Sequence, residues 1–326
     1  MAASAIVAIG ASAGGVESLR RLVRELPRDL PAAVAVVLHL APTSRSMLAQ
    51  ILSRSGPLPA HQASDKCALE NGHIYVAAPD HHLLVEDHQL RVSRGATENG
   101  VRPAVDPLFR TAAATFGKRA IGVVLSGSLD DGTAGLFEIK RRGGWTMVQD
   151  PAEALYPAMP TSAIEHVTVD TVADSRALAS HIVAALDGGV RPAPVPRLPV
   201  PEAADVKPSG MSCPDCNGQL WEMHAGDQVR YRCRVGHEWT GMALIDGQER
   251  ALENALWAAA RIVSERIQLT RKMLERASAK RHHHVEHLLQ SRLAELEEQD
   301  ERLREALAQP VTADTESDAS LHDWVP

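Results

Sequence analysis

Ala5-Ile-Val-Ala-Ile-Gly-Ala-Ser-Ala-Gly-Gly15 is a short apolar run that ends in a serine set between glycines. Ala5 to Ile9 reads as a buried strand. After it, Val16, Leu19, Leu22, Val23 and Leu26 share one face of a helix. A strand that runs through Gly10-Ala-Ser-Ala-Gly14 into a helix presents Ser12 at a sharp turn, with the first amides of the helix beside it. Two readings are open at this point. Ser12 is a nucleophile, or the turn cradles a phosphate.

Further along, strand and helix patterns alternate. Ala33 to Leu40 is a second apolar run with His39 near its end, and a helix is expected from Ser44 to Leu52. Short strands are expected at Ile74–Ala77, Leu83–Val85 and Leu90–Val92, the last two joined by a turn at Asp87-His88. A helix over Asp106–Phe116 precedes the strand Ala120–Leu125. That strand ends in Ser126-Gly-Ser-Leu-Asp-Asp-Gly132, and a helix to Arg142, a strand at Trp145–Val148 and a helix over 174–186 follow. This order predicts an α/β fold: a doubly wound, mostly parallel sheet with helices on both faces.

The chain has 326 residues, 44% of them hydrophobic, and a formal net charge of −7 from 34 basic and 41 acidic residues. An acidic chain of this kind is not expected to bind nucleic acid. It holds no apolar run of 18 residues, so no membrane insertion is expected, and no signal peptide is read at its start. A cytoplasmic location follows as the expectation. Five segments are expected: a catalytic domain over 1–187, a Pro-rich linker over 188–210, a zinc-ribbon-like module over 211–240, a helical hairpin or coiled coil over 241–309, and a disordered tail over 310–326.

A serine hydroxyl attacks only when a base takes its proton, and the base needs an acid to orient it. In open α/β sheets such groups gather at the carboxyl ends of strands. Ser12, His39 and the pair Asp130-Asp131 all stand at such ends. The order Ser, His, Asp differs from the Ser, Asp, His of α/β-hydrolases. A dinucleotide fingerprint needs glycine where Ser12 stands, and no acid closes the second strand to hold a ribose.

Ile9-Gly-Ala-Ser-Ala-Gly-Gly15, Tyr75-Val-Ala-Ala-Pro79, His82-Leu83, Val37-Leu-His-Leu40, Arg102-Pro-Ala-Val-Asp-Pro-Leu-Phe109, Val124-Leu-Ser-Gly-Ser-Leu-Asp-Asp-Gly132 and Gln149-Asp150 resemble the CheB-type protein-glutamate methylesterases of bacterial chemotaxis. The resemblance covers roughly residues 4 to 187. It implies a serine hydrolase with Ser12 as nucleophile, His39 as base and Asp131 as the acid, needing no cofactor for catalysis. The implied substrates are glutamate γ-methyl esters of methyl-accepting chemoreceptors, with glutamine deamidation as a related activity and methyltransferase or signalling proteins as further partners. Asp130 stands where the family varies and reads as a loop carboxylate or helix cap. The family usually has threonine where Ala13 stands and methionine where Ser128 stands. These departures motivate an alternative, a weakly active or inactive regulatory scaffold. A start near residue 4 leaves no room for the receiver domain that often precedes this domain, so regulation by such a receiver within the chain is not expected.

Cys213-Pro-Asp-Cys216 and Cys233-Arg-Val-Gly-His237 form two tight metal-binding turns around a hairpin pattern, and Cys3His suits structural Zn²⁺. His224 is a second choice of ligand. His282, His283, His284 and His287 read as a solvated helix face, and Cys67 as a small apolar filler. Leu252, Leu256, Val263, Ile267 and Leu274 form one apolar stripe and Leu289, Leu293, Leu296, Leu303 and Leu307 another, with a weak point near 278–284. Such stripes suit homo-oligomers or partner helices. Trp324 in the tail suits a docking peptide.

Overall fold

The structure is a computed structural model that describes residues 3–44, 46–188, 206–225, 228–279 and 282–308. Most of the expected linker, the expected tail with Trp324 and the hairpin tip at 226–227 lie outside the described residues.

The strands are β1 (Ile6–Ala11), β2 (Ala33–Leu38), β3 (Ala60–Gln62), β4 (Ile74–Val76), β5 (His82–Glu86), β6 (Gln89–Ser93), β7 (Ala120–Val124), β8 (Trp145–Gln149) and β9 (Thr171–Ala173), then β10 (Lys207–Ser212), β11 (Gln219–Ala225), β12 (Gln228–Cys233) and β13 (Glu238–Thr240). The helices are α1 (Gly15–Glu25), α2 (Leu48–Ser55), α3 (Val105–Phe116), α4 (Thr133–Arg141), α5 (Ala158–His166), α6 (Ala177–Leu186), α7 (Gly241–Ala279) and α8 (His283–Ala308). Two compact units result, residues 1–245 and 246–326.

In the first unit a seven-stranded sheet runs β3-β4-β2-β1-β7-β8-β9, with parallel pairing throughout. The alternation along β1 explains why it lies at the centre. Val7, Ile9 and Ala11 face a core built with α1, α2 and α6, while Ile6 and Ala8 face a core built with α3, α4 and α5. The sheet is therefore doubly wound, as expected. Small residues line the α3 side. A Cβ on Gly10 would stand 2.2 Å from Val105 Cγ1, so only glycine lets α3 come this close.

After β1 the chain builds one wing of the sheet through β2, β3 and β4, and then returns to the other flank of β1 with β7. Crevices for ligands form at such a switch point, at the carboxyl ends of the strands. β5 and β6 form a separate hairpin whose turn at Asp87-His88 has positive φ at both residues.

Some boundaries differ from expectation. β1 extends to Ala11, because Gly10 pairs with both neighbours and Ala11 goes on pairing with Leu38 of β2, and α2 begins at Leu48 rather than Ser44. The ribbon strands pair in the order β10-β11-β12-β13 around Cys213, Leu220, Cys233 and Trp239. Ala243 and Leu244 of α7 complete this small core, so the first turn of the helix belongs with the ribbon. In the second unit, Val263 and Ile267 of α7 pack with Leu293, Leu296 and Leu303 of α8. α7 ends at Ala279 and α8 begins at His283, and residues 280–281 of the expected weak point lie outside the described residues.

Candidate active site

The sheet places Ser12 one residue beyond β1, His39 one residue beyond β2, and Asp131 in the loop between β7 and α4. Ladder bonds continue into the site. The Ser12 N–H donates to Ser126 O (2.9 Å), and the His39 N–H donates to Ala11 O (3.1 Å). Gly14, at φ 72°, turns the chain into α1, and a Cβ there would stand 2.8 Å from Ser126 Oγ.

The three side chains form one hydrogen-bonded line. His39 Nδ1 lies 3.1 Å from Ser12 Oγ, and His39 Nε2 lies 2.7 Å from Asp131 Oδ2. A carboxylate only accepts, so Nε2 carries the proton. That leaves Nδ1 as the acceptor for the Ser12 hydroxyl. The imidazole is thus turned the other way from the Ser–Nε2, Asp–Nδ1 arrangement of the chymotrypsin triad.

Asp131 is 2% exposed and accepts four hydrogen bonds. Oδ2 takes His39 Nε2–H and the Val105 N–H (2.6 Å). Oδ1 takes the Asp106 N–H (3.2 Å) and Asn99 Nδ2 (3.1 Å). Burial by itself raises its pKa. The His39 hydrogen bond and charge, with the Val105 and Asp106 amides, outweigh that and hold it at about 2. Its neighbour Asp130 goes the other way. Burial pushes it up to about 6, against a single hydroxyl bond from Thr240 Oγ1 (2.8 Å). Asp130 therefore binds the ribbon, and its side chain does not cap α4.

The departures at Ala13 and Ser128 leave the backbone intact. Among the described residues, the N–H groups of Ala13 and Ser128 make no hydrogen bond within the protein. Buried Gln149 supports the loop by accepting the Ser126 N–H through Oε1 (2.8 Å).

A family model described as CheB methylesterase matches residues 7–182. The chain belongs to this family. A Leptospira interrogans relative described as a putative protein-glutamate methylesterase/protein-glutamine glutaminase is 37% identical over 167 residues, 51% of this chain and 86% of the relative. An Anaeromyxobacter dehalogenans protein-glutamate methylesterase/protein-glutamine glutaminase is 39% identical over 179 residues, 54% of this chain and 52% of the relative. The crystal structure of the Thermotoga maritima CheB methylesterase catalytic domain superposes with a TM-score of 0.53 at 32% identity, covering 55% of this chain and 97% of that one. The chain thus spans nearly all of some CheB relatives and about half the length of others.

Beyond the matched CheB domain, Cys213, Cys216, Cys233 and His237 bring their ligand atoms within 4.8 Å of one another. Cys213 Sγ lies 3.5 Å and Cys233 Sγ 3.4 Å from His237 Nδ1, and Cys216 Sγ lies 3.7 Å from Cys233 Sγ. A tetrahedral zinc with bonds near 2.3 Å to sulfur and 2.1 Å to nitrogen has edges of roughly 3.5–3.8 Å. Donor set and spacing therefore fit such an ion. His224 stands apart, exposed and 3.1 Å from Glu222. His282, His283, His284 and His287 are exposed.

Three residues of the site, Asn99, Asp106 and Arg230, are given no role by the sequence alone. Asn99 reaches Asp131 directly. Asp106, fully buried, gives its N–H to Asp131, and its side chain accepts from Gly135 N–H (2.7 Å) and Arg230 Nη1 (3.0 Å). Asn99-Gly100 is a turn signal and Asp106 lies within Arg102–Phe109, so both could have been singled out. Nothing local marks Arg230.

Proposed function

We propose that this chain is a serine hydrolase of protein glutamate γ-methyl esters, acting on chemoreceptor-type proteins, with glutamine side-chain deamidation by the same route. The observation that carries the reading is the Ser12–His39–Asp131 line, with its 3.1 and 2.7 Å links at the switch point of the sheet. Ser12 Oγ attacks the ester carbonyl as its proton passes to His39 Nδ1. Asp131 keeps the Nε2 proton and balances the imidazolium charge. The Ala13 amide, with that of Ser128, donates to the oxyanion. The imidazolium then protonates the departing methoxide, and methanol leaves. A water deprotonated by Nδ1 opens the acyl-serine, which returns Ser12 and frees the glutamate. With glutamine, ammonia leaves in place of methanol.

Cys213, Cys216, Cys233 and His237 are the proposed ligands of one structural Zn²⁺. All four positions would be protein-filled, so the ion serves the fold of the ribbon and no chemical step. The helical unit exposes Trp257, Ile262, Leu269 and Met273, which suits pairing with partner helices or a second copy. A cytoplasmic location agrees with the substrate class, and no described helix is long and apolar enough to cross a membrane.

Methanol release from methylated receptor is the test. Ser12→Ala is expected to lower it by at least about 10³-fold without changing the melting temperature. Equal release by both proteins would sink the esterase reading and leave the scaffold.

A further inference from the structure

Asp131 has four hydrogen-bond donors, and three come from the sheet side: His39 and the first amides of α3. The fourth is Asn99 Nδ2. Asn99 is 4% exposed and sits at φ 53° in the turn where Glu98 and Val101 bridge. It has no helix or strand of its own to hold it.

The ribbon holds it. The Asn99 N–H donates to Glu238 O (2.7 Å), the Glu238 N–H donates to Thr97 O (3.3 Å), and the Thr240 N–H donates to Asn99 Oδ1 (3.0 Å). The last bond settles which end of the amide faces which partner. Thr240 N–H can only donate, so Oδ1 must face it, and Asp131, an acceptor, meets Nδ2. Without β13, Oδ1 of the amide loses its donor and the Asn99 turn loses the backbone bonds that hold it against Asp131. Two further links run from the ribbon to the residues around Asp131. Arg230 pairs with Asp106 at 3.0 Å, and Thr240 Oγ1 donates to Asp130 while accepting the Ala243 N–H (3.2 Å). Thr97 Oγ1 also meets Asp215, inside the first metal-binding turn. Every contact lies within the first compact unit.

We propose that β13 of the ribbon is a working part of the esterase site, and that Asn99 is a positioning residue through which the docked ribbon orients Asp131. The inference rests on the reading of Ser12, His39 and Asp131 as a triad. It makes the ribbon an internal brace of the reaction. Substrate does not touch Asn99, so its loss slows the chemical step and leaves binding nearly unchanged.

The test uses the full chain. Asn99→Asp keeps the size of the side chain and an acceptor for the Thr240 N–H, but sets an oxygen against Asp131. Two quantities are read. One is the low-field proton resonance of His39 Nε2–H, identified by its loss in His39→Gln. The other is steady-state hydrolysis of methylated receptor. Asn99→Asp is expected to abolish the resonance and lower kcat about tenfold to a hundredfold, with KM within about twofold, as for the loss of one hydrogen bond to a charged group. Hydrogen exchange of the β13 amides reports docking. Should Asn99→Asp release the ribbon, the same comparison is made with Asn99→Ala. An unchanged resonance with the ribbon docked, whatever kcat does, overturns the proposal. If the parent hydrolyses no methyl ester yet its resonance vanishes in Asn99→Asp, the proposed substrate fails and the positioning role stands.

Discussion

Along β1, β2 and β7 every residue of the large sheet is buried, with apolar cores on both faces. The four ribbon strands enclose far less: Cys213, Leu220, Cys233 and Trp239, with Ala243 and Leu244 from α7. The sheet holds its shape by burying apolar area. A core of six residues cannot do that. The ribbon has instead its Cys213, Cys216, Cys233 and His237 cluster, the proposed zinc site, and polar bonds to the sheet domain. At that interface Glu98, Asp106 and Glu238 face Arg110 and Arg230, with Arg110 Nη2 on Glu98 at 2.6 Å. The interface is thus made from the residues least tolerant of a missing partner, and Arg230 Nε and Nη2 are buried in it without a hydrogen bond.

The largest separation between the two regions should come from metal removal. A chelator is expected to open the amides of β11, β12 and β13 to hydrogen exchange, while β1, β2 and β7 stay protected. Zinc in such sites supplies roughly 10 kcal/mol or more of local folding energy. Metal analysis should first find about one zinc per chain. Ribbon amides that remain protected after stripping would mean that the interface alone holds the strands.

Next in size is the buried pair. Arg230→Met leaves the Asp106 carboxylate without its cation inside the interface, where burial already raises its pKa. Urea unfolding should show a loss of about 3–5 kcal/mol, and adding Asp106→Asn should restore part of it. No loss would show that the pair contributes nothing net, and would leave β13 as the main attachment.

The smallest effect separates two adjacent carboxylates. Asp131, held at about 2, stabilises the fold above the ordinary value of 3.8, and that contribution disappears as pH falls through about 2. Asp130, pushed up to about 6, has the opposite sign: its cost to stability grows as pH rises from 3.8 through about 6. Asp130→Asn should therefore be more stable than the parent by about 1 kcal/mol at pH 7, with the gap closing near pH 4. Thermal melts at both pH values check this. A gap of equal size at pH 4 would show that the ionised carboxylate is not its source.

The parts of the molecule legible in the sequence are those whose physics is local. Ile6–Ala11, Ala33–Leu38 and Ala120–Val124 are continuous apolar runs because parallel strands are covered on both faces. Ser12, His39 and Asp131 could be read because each follows such a run. The three-residue strands β3 and β9 leave no period to detect, and both lie at edges of the sheet. The ribbon's Cys213–Cys216 and Cys233–His237 pairs were visible as spacing. Its seat against the sheet domain was not: Asn99 and Thr240 are 141 positions apart, and Asp106 and Arg230 are 124 apart. Each of these four reads alone as an ordinary polar residue. Only the folded chain shows that they share one interface.

The ladder bonds at Ser12 and His39 carry one more consequence. Ser12 and His39, the proposed nucleophile and base, take their places from a backbone bonded into the sheet. Asp131 is mounted differently, in a loop, with one of its four supports reaching it through a neighbouring module. On the proposed role of Asn99, altering that module changes the setting of Asp131 while Ser12 and His39 keep their geometry. On that proposal, the ribbon sets the rate without any change to the fold that carries Ser12.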